Sequence, residues 1–455
     1  MKKELSLSDL KQVYFLGIGG IGMSAIARWF LHNGFPVAGY DKTESPLTKK
    51  LAEEGMVIHY EDAIDLIPAD CLEDVEHSLF IYTPAIPKDH IEMNFLLSKG
   101  IRLYKRSEIL GWITQQIPTL AVAGTHGKTT TSSILGHIMA QVNATSFLGG
   151  ISENYNSNLI LGDDKISVVE ADEYDRSFLQ LSPDIACVTS MDADHLDIYG
   201  DSDALNTSFV EFTKEVSETL IVAKGLPLKG LTYAINEPSD YEAFNLKIES
   251  GKYIFDVKTP STEIQNIEFS LPGRHNVMNA LAALAMADVY GVSLENIKHS
   301  LSTFKGVKRR FSYKIKTEDF VLIDDYAHHP AEINAVESSI REMYPNETIL
   351  VIFQPHLFSR TRDFIDDFAS ALSKFDEVLL LDIYPARETP ISGVNSDWLF
   401  GKITCKSKKQ TKKNNLVKDI KNSSAKVVAM LGAGDIGVTI QEVTNQLLKT
   451  IENET

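Results

Sequence analysis

Lys128 and Thr129 follow Gly127 inside the run "LAVAGTHGKTTTSSILGHIM", Leu120 to Met139. A short apolar strand, two glycines, a lysine, a hydroxyl and a helix, in that order, suit a triphosphate. The glycines let backbone N–H groups turn inward, and the helix start adds positive potential. The lysine reaches the outer phosphates, and the threonine hydroxyl can ligate Mg2+. The spacing departs from G-x-x-x-x-G-K-[ST], because Val122 stands at the first glycine position and Gly124 comes two residues later. An ordinary strand–turn–helix junction with a solvated lysine is the plain alternative, and the order of parts favours phosphate. The candidate contacts are Gly124, Thr125, His126, Gly127, Lys128, Thr129 and Thr130.

Two acidic clusters follow. "ISVVEADEYDRSFL" reads as a strand over Ile166 to Val169 that ends in Glu170, Asp172 and Glu173. Acids at the carboxyl end of a strand beside a phosphate loop are where a metal ligand sits. "DIACVTSMDADHLDIYG" reads as a second strand, ending in Asp192, Asp194, His195 and Asp197. Carboxylates suit Mg2+, whereas His195 taken alone reads as a hydrogen-bonded or general-base histidine.

Near the start, Gly17, Gly19 and Gly22 match G-x-G-x-x-G, with Gly20 between them and Asp41 at the spacing of a ribose-binding acid. Gly17 permits a tight turn, Gly19 lets a diphosphate approach, and Gly22 is expected to bring the helix close to the strand. The turn follows Val13–Leu16 directly, which favours a diphosphate site over a nucleotide-free turn. The motif identifies a diphosphate better than it identifies NAD.

Further along, "LPGRHNVMNALAALAMA" opens a helix with His275 and Asn276 at its start, where they could meet a base or ribose or simply cap the helix. Lys308, Arg309 and Arg310 precede a strand, as a basic edge or as an anion clamp. His328 and His329 follow another strand, and His356, Arg360 and Arg362 follow a third. His328, His329, Arg360 and Arg362 all fall at strand ends, which argues for an anionic substrate.

These groups need elements to position them. Strands alternating with helices imply doubly wound α/β sheets. The chain has 455 residues, enough for about three domains of ~150 residues. We place boundaries at 1–112, 113–305 and 306–455. A hydrophobic content of 44% and a charged content of 23% are those of a globular protein, and the net charge of -18 argues against a general nucleic-acid binder. The run "CKSKKQTKKNN" is expected to be a solvated surface segment. Cys71, Cys187 and Cys405 are scattered, with no metal-ligand spacing, and indicate a reducing cytoplasm. No apolar run is long enough to span a bilayer.

Taken together, "GIGGIGMSAIA", "GTHGKTTT", "EADEYDRSFL", "DADHLDIYG", "PGRHNVMNALAA", "DDYAHHPAEI" and "FQPHLFSRTRDF" resemble the Mur ligase family in order and over nearly the whole chain. The resemblance implies an N-terminal Rossmann-like domain for UDP, a central P-loop domain for ATP, and a C-terminal Rossmann-like domain that closes on substrate and amino acid. It implies ATP-dependent ligation of L-alanine to UDP-N-acetylmuramate through an acyl phosphate, in peptidoglycan synthesis. Lys128 would then neutralise phosphates, and Thr129, Glu170 and His195 would surround Mg2+. His275, Asn276 and Arg309 or Arg310 would hold ATP. His328, Arg360 and Arg362 would meet the substrate carboxylate and the alanine, and Gly17, Gly19, Gly20, Gly22 and Asp41 would hold the UDP part. Other branches carry a carbamylated lysine after the metal histidine, whereas "DALNTSFVEF" has none before Lys214. The resemblance leaves a homodimer open. Two alternatives stand beside it: a related ligase that recycles stem peptides onto the same sugar nucleotide, and an NAD-dependent oxidoreductase.

Overall fold

A computed structural model describes residues 7–192, 202–249, 251–386 and 388–454. Two compact units form. One comprises Met1–Leu246, Phe255–Glu268 and Met278–Lys305, and the other Lys247–Ile254, Phe269–Val277 and Gly306–Thr455.

The first sheet holds β1 (Gln12–Leu16), β2 (Val37–Tyr40), β3 (Val57–His59), β4 (Ser78–Tyr82) and β5 (Leu103–Lys105), in the order β3-β2-β1-β4-β5. All its pairings are parallel. Val13, Tyr14, Phe15 and Leu16 are all buried, as expected of a strand covered on both faces. Chain order reverses between β1 and β4, so the crevice above their carboxyl ends is the natural ligand position. The glycine-rich turn leaves β1 there.

The second sheet has ten strands: β6 (Thr119–Ala123), β7 (Thr145–Ser152), β8 (Ser157–Ile160), β9 (Ser167–Glu170), β10 (Ile185–Val188), β11 (Thr219–Ala223), β12 (Leu231–Ile235), β13 (Tyr241–Glu249), β14 (Lys252–Lys258) and β15 (Glu263–Phe269). Their order is β15-β14-β13-β12-β11-β10-β6-β9-β7-β8. β6 lies between β9 and β10 and runs parallel to both, so the phosphate-loop candidate emerges between the two acidic strand ends. One apolar core runs from the first sheet into the second, with Phe15, Ile26 and Phe30 in the same cluster as Ala121, Phe147, Leu159 and Val169. Polar bonds reinforce it: the Arg28 guanidinium donates to Asn158 and Glu54, and Trp29 Nε1 donates to Asp164 (3.1 Å).

The third sheet holds β16 (Ser312–Lys316), β17 (Val321–Asp325), β18 (Ile349–Phe353), β19 (Glu377–Leu380), β20 (Ser407–Gln410) and β21 (Val427–Leu431), ordered β16-β17-β21-β18-β19-β20. Only β16 is antiparallel to its neighbour. β20 lies in the lysine-rich run and is a largely exposed edge strand, so the run is the solvated surface segment expected, with β structure that composition does not show. Lys408 Nζ donates to the Phe400 and Ile403 carbonyls, and Lys409 pairs with Asp419 at 2.6 Å. Charged side chains at a sheet edge blunt its tendency to pair with other chains.

A buried polar knot lies under the first sheet. Tyr14 Oη donates to Glu92 Oε2 (2.5 Å) and lies 2.8 Å from His59 Nε2, while Ala63 N donates to Glu92 Oε1 (3.1 Å). Burial pushes the Glu92 carboxyl up to about 7, against the lowering effect of its Tyr14 and Ala63 hydrogen bonds.

Candidate active site

The glycine-rich turn is built as its sequence requires, with one change of role. Gly17 has φ +87°, a conformation glycine adopts without strain. Gly19 N donates to Asp41 Oδ2 (2.8 Å), and Thr43 N donates to Asp41 Oδ1 (3.1 Å). Asp41 thus clasps the turn itself. At Gly22 an added Cβ would fall 3.0–3.2 Å from the Arg106 side chain, so this glycine seats an arginine against the helix Ile21–His32, where close helix–strand contact was expected.

The second loop runs from β6 through Gly124, Thr125, His126 and Gly127 into the helix Lys128–Met139. Gly124 (φ +133°) and Gly127 (φ +82°) carry the left-handed turns. That explains why a valine at 122 does no harm: the turn starts two residues later. A Cβ on Gly124 would meet Ser190 N at 2.8 Å, and one on Gly127 would meet Asn279 Oδ1 at 2.5 Å. The loop is fastened to the end of β10, where His126 N donates to Ser190 Oγ (2.8 Å) and Asp192 N donates to Thr125 Oγ1 (3.0 Å).

Lys128 Nζ lies across this loop. It donates to Gly124 O (2.6 Å) and to Glu173 Oε1 (2.9 Å), with Glu173 Oε2 at an ion-pair distance of 2.7 Å. Burial works to lower its pKa, but the Glu173, Asp172 and Glu170 carboxylates together raise it. The ammonium therefore keeps its charge in a strongly negative neighbourhood. Glu173, fully buried, was one acid among several in the sequence, and only the fold singles it out as the partner of the loop lysine. Glu170 ends β9, and its carboxylate lies over Gly149 so closely that a Cβ there would run into it. The Gly149-Gly150 pair was the available signal.

Among the described residues no three His, Cys, Asp or Glu side chains converge as a metal cage. Thr129, nearly buried in the first helical turn, and Glu170 are oxygen donors in a field of three carboxylates, which suits a hard cation that keeps waters. His195 lies outside the described residues.

The second unit gathers its candidates at the carboxyl ends of β17 and β18. Glu332 organises them. It accepts from His328 N (2.9 Å) and His329 N (3.2 Å) at the start of the helix Pro330–Met343, and lies 3.8 Å from Arg310. Its place three residues after the helix cap is a capping-box spacing, readable once His329 is accepted as the cap. His328 Nδ1 donates to Tyr326 O (3.0 Å), which leaves Nε2 as the acceptor of a neutral ring. Burial, followed by the Arg360 and Arg310 charges, lowers the His328 pKa against Glu332. His356 faces His328 at 5.9 Å between ring centroids and stacks on Tyr384. Neither Glu332 nor His356 was assigned from sequence.

The arginines divide. Arg309 (φ +62°) donates to Gly432 O and pairs with Asp324 at 3.4 Å, so it serves its own domain. Arg310 lies over Tyr326, and His275 stands exposed within reach of its charge. Asn276 Nδ2 donates to Pro272 O (2.6 Å), fastening the start of the helix Arg274–Tyr290. Arg360 and Arg362 share the short helix Phe358–Asp363, which follows Leu357 at φ +70°. Arg362 is half-exposed and pairs with Asp363 at 2.7 Å.

Residues 12–117 match the Mur ligase family catalytic domain, 122–287 the Mur ligase middle domain, and 309–440 the Mur ligase glutamate ligase domain. The UDP-N-acetylmuramate–L-alanine ligase of Flavobacterium psychrophilum is 58% identical over 447 residues, covering 97% of this chain and 99% of its own. The chain belongs to the Mur ligase family. A second such ligase, from Cytophaga hutchinsonii, is 46% identical over 96% of this chain and 97% of its own. Among solved Mur ligase structures, the UDP-N-acetylmuramate–alanine ligase of Thermotoga maritima superposes with a TM-score of 0.82 at 27% identity, over 98% of this chain and all of that one. A murein peptide ligase from Psychrobacter arcticus shares the fold, with a TM-score of 0.69 at 22% identity over 96% of this chain and 98% of that one. The three-sheet α/β architecture is therefore the Mur ligase architecture. No helix among the described residues is long and apolar enough to cross a membrane.

Proposed function

We propose that this Mur ligase uses ATP to join L-alanine to the carboxylate of UDP-N-acetylmuramate, giving UDP-N-acetylmuramoyl-L-alanine, ADP and phosphate. The identity of 58% along 97% of the chain with a ligase of that name carries the reading. The loop around Lys128 supplies the chemistry it needs.

A carboxylate does not condense with an amine unaided in water. Transfer of the γ-phosphoryl group to it makes an acyl phosphate, the amine attacks, and a tetrahedral intermediate collapses to amide and phosphate. Such catalysis is mostly positioning and charge neutralisation. Backbone N–H groups of Gly124 to Gly127 cradle the phosphates. Lys128 leaves Glu173 to meet charge that develops on the transferred group. Thr129, Glu170 and His195 would hold Mg2+, which would neutralise phosphate charge when bound. His275 and Asn276 serve the adenine nucleotide, and of the two neighbouring arginines Arg310 is the one turned to ligand, since Arg309 is tied to Gly432 and Asp324. The neutral Nε2 of His328 accepts a proton from the incoming ammonium, and Arg360 takes the alanine carboxylate. Arg362 adds charge at the rim. The turn from Gly17 through Gly19, Gly20 and Gly22, clasped by Asp41, receives the UDP diphosphate. The three cysteines form no disulfide, which fits a cytoplasmic enzyme.

Phosphate release with UDP-N-acetylmuramate and ATP, offered L-alanine, glycine, L-serine or a stem tripeptide, tests the reading. L-Alanine should give the highest kcat/KM. Preference for the tripeptide would make the chain a recycling ligase instead.

A further inference from the structure

Arg106 stands in an electrostatically poor place. It follows Lys105 at the end of β5, and its Nη1, Nε and Cδ crowd the site of a Cβ at Gly22 in the first turn of the helix Ile21–His32. Cations belong at helix C-termini, and a guanidinium at the positive end is the wrong sign. That first turn has no acid, and its N-cap Gly20 has no side-chain bond to offer. The ion-pair partner of Arg106 among the described residues is Asp172, 3.6 Å from Nη2, a distance longer than a good hydrogen bond. Asp172 belongs to the acidic loop after β9, and Arg106 and Asp172 line one small cleft together with Ser107, Glu170 and Ser177. The same loop is also held by Lys105, which pairs with Asp175 at 2.8 Å, and it holds Asp175 and Arg176 at positive φ (52° and 54°), backbone that stores strain.

We propose that Arg106 is a shared cation: it leaves Asp172 for the diphosphate of the sugar nucleotide, so that filling the glycine turn releases the acidic loop beside Glu170 and Glu173. An anion on the turn would sit between the helix N-terminus and the guanidinium, and the unfavourable placement would become a favourable one. The planar fork of arginine suits two phosphate oxygens. The inference rests on the UDP-binding reading above.

The test is a double-mutant cycle in binding, by calorimetry on the full chain without ATP or metal, with UDP-N-acetylmuramate and with UDP as probes. Arg106→Gln should weaken both ligands about tenfold or more, and Arg106→Lys by less. Asp172→Asn should tighten both, because it removes the competitor, and should have no effect once Arg106 is Gln. Wild-type affinity in Arg106→Gln, or an equal effect of Asp172→Asn in both backgrounds, overturns the exchange. Failure of wild-type protein to bind either probe overturns the UDP reading and this inference with it, whereas binding by wild type with no coupling overturns this inference alone.

Discussion

Lys128→Ala separates what the loop lysine does for the fold from what it does for the reaction. The lysine and Glu173 form a pair in which Glu173 is 0% and Lys128 13% exposed. Removing one partner of a buried ion pair costs about 3–5 kcal/mol, because the surviving charge is stranded. The residual exposure of the lysine favours the lower end, about 3 kcal/mol. The compact unit that holds Lys128 exceeds 250 residues, where 1 kcal/mol shifts the midpoint by about 2 °C or slightly less, so the melting temperature should fall by about 5–6 °C. Lys128→Ala with Glu173→Gln removes both charges and should recover most of that loss. Activity should not recover with it. A group acting on transition-state charge is worth about 10²-fold or more, so both variants should lose at least that much phosphate release. Scanning calorimetry and the phosphate assay read the two effects separately. Near-normal turnover by folded Lys128→Ala would refute the phosphate role, and a double variant as unstable as the single one would refute the stranded-charge argument.

Gly149→Ala should push the Glu170 carboxylate from its seat and raise the Mg2+ concentration needed for half-maximal activity several-fold; an unchanged Mg2+ titration would show that Glu170 is no ligand. Arg360→Lys should raise the L-alanine KM about tenfold or more, with ATP affinity unchanged, because the bidentate fork is lost. Arg362→Lys should change it much less, since Arg362 already pairs with Asp363; equal effects would return Arg362 to the amine site. Glu92 has a folded pKa raised to about 7 from an ordinary 4.5, so the native state binds the extra proton and stability falls as pH rises between those values. Relative to wild type, Glu92→Gln should gain melting temperature between pH 5 and pH 8, and a constant difference across that range would count against a protonated Glu92.

The chemistry-bearing turns were legible in the sequence because each combines residue types that a strand–turn–helix junction must place locally. The segments around Gly17, Gly127 and His328 all sit where strand ends meet helix starts. What the sequence did not disclose is which groups pair across distance. Glu173 looks like any acid in "EADEYD" until Lys128 is seen to reach it. Gly22 reads as a packing glycine until Arg106, more than eighty residues later, is found against it. The strands from β11 to β15 carry no chemical motif, so motif residues point to only half of the second sheet. The lysine-rich run is exposed as its composition implies, but composition says nothing of its strand or of partners such as Asp419.

The helix Ile21–His32 starts at the glycine turn and bonds through Arg28 and Trp29 to Asn158 and Asp164, beside the strands that flank Glu170. With one apolar core beneath both, the glycine turn proposed for the diphosphate and the acids proposed for the metal beside the reacting carboxylate are mounted on a common chassis. Their separation is consequently a gauge. A nucleotide sugar whose carboxylate hangs too near or too far from its diphosphate cannot fill both places, however well either end is recognised. On the proposed reading, selectivity for substrate length would be written into packing that no substrate touches.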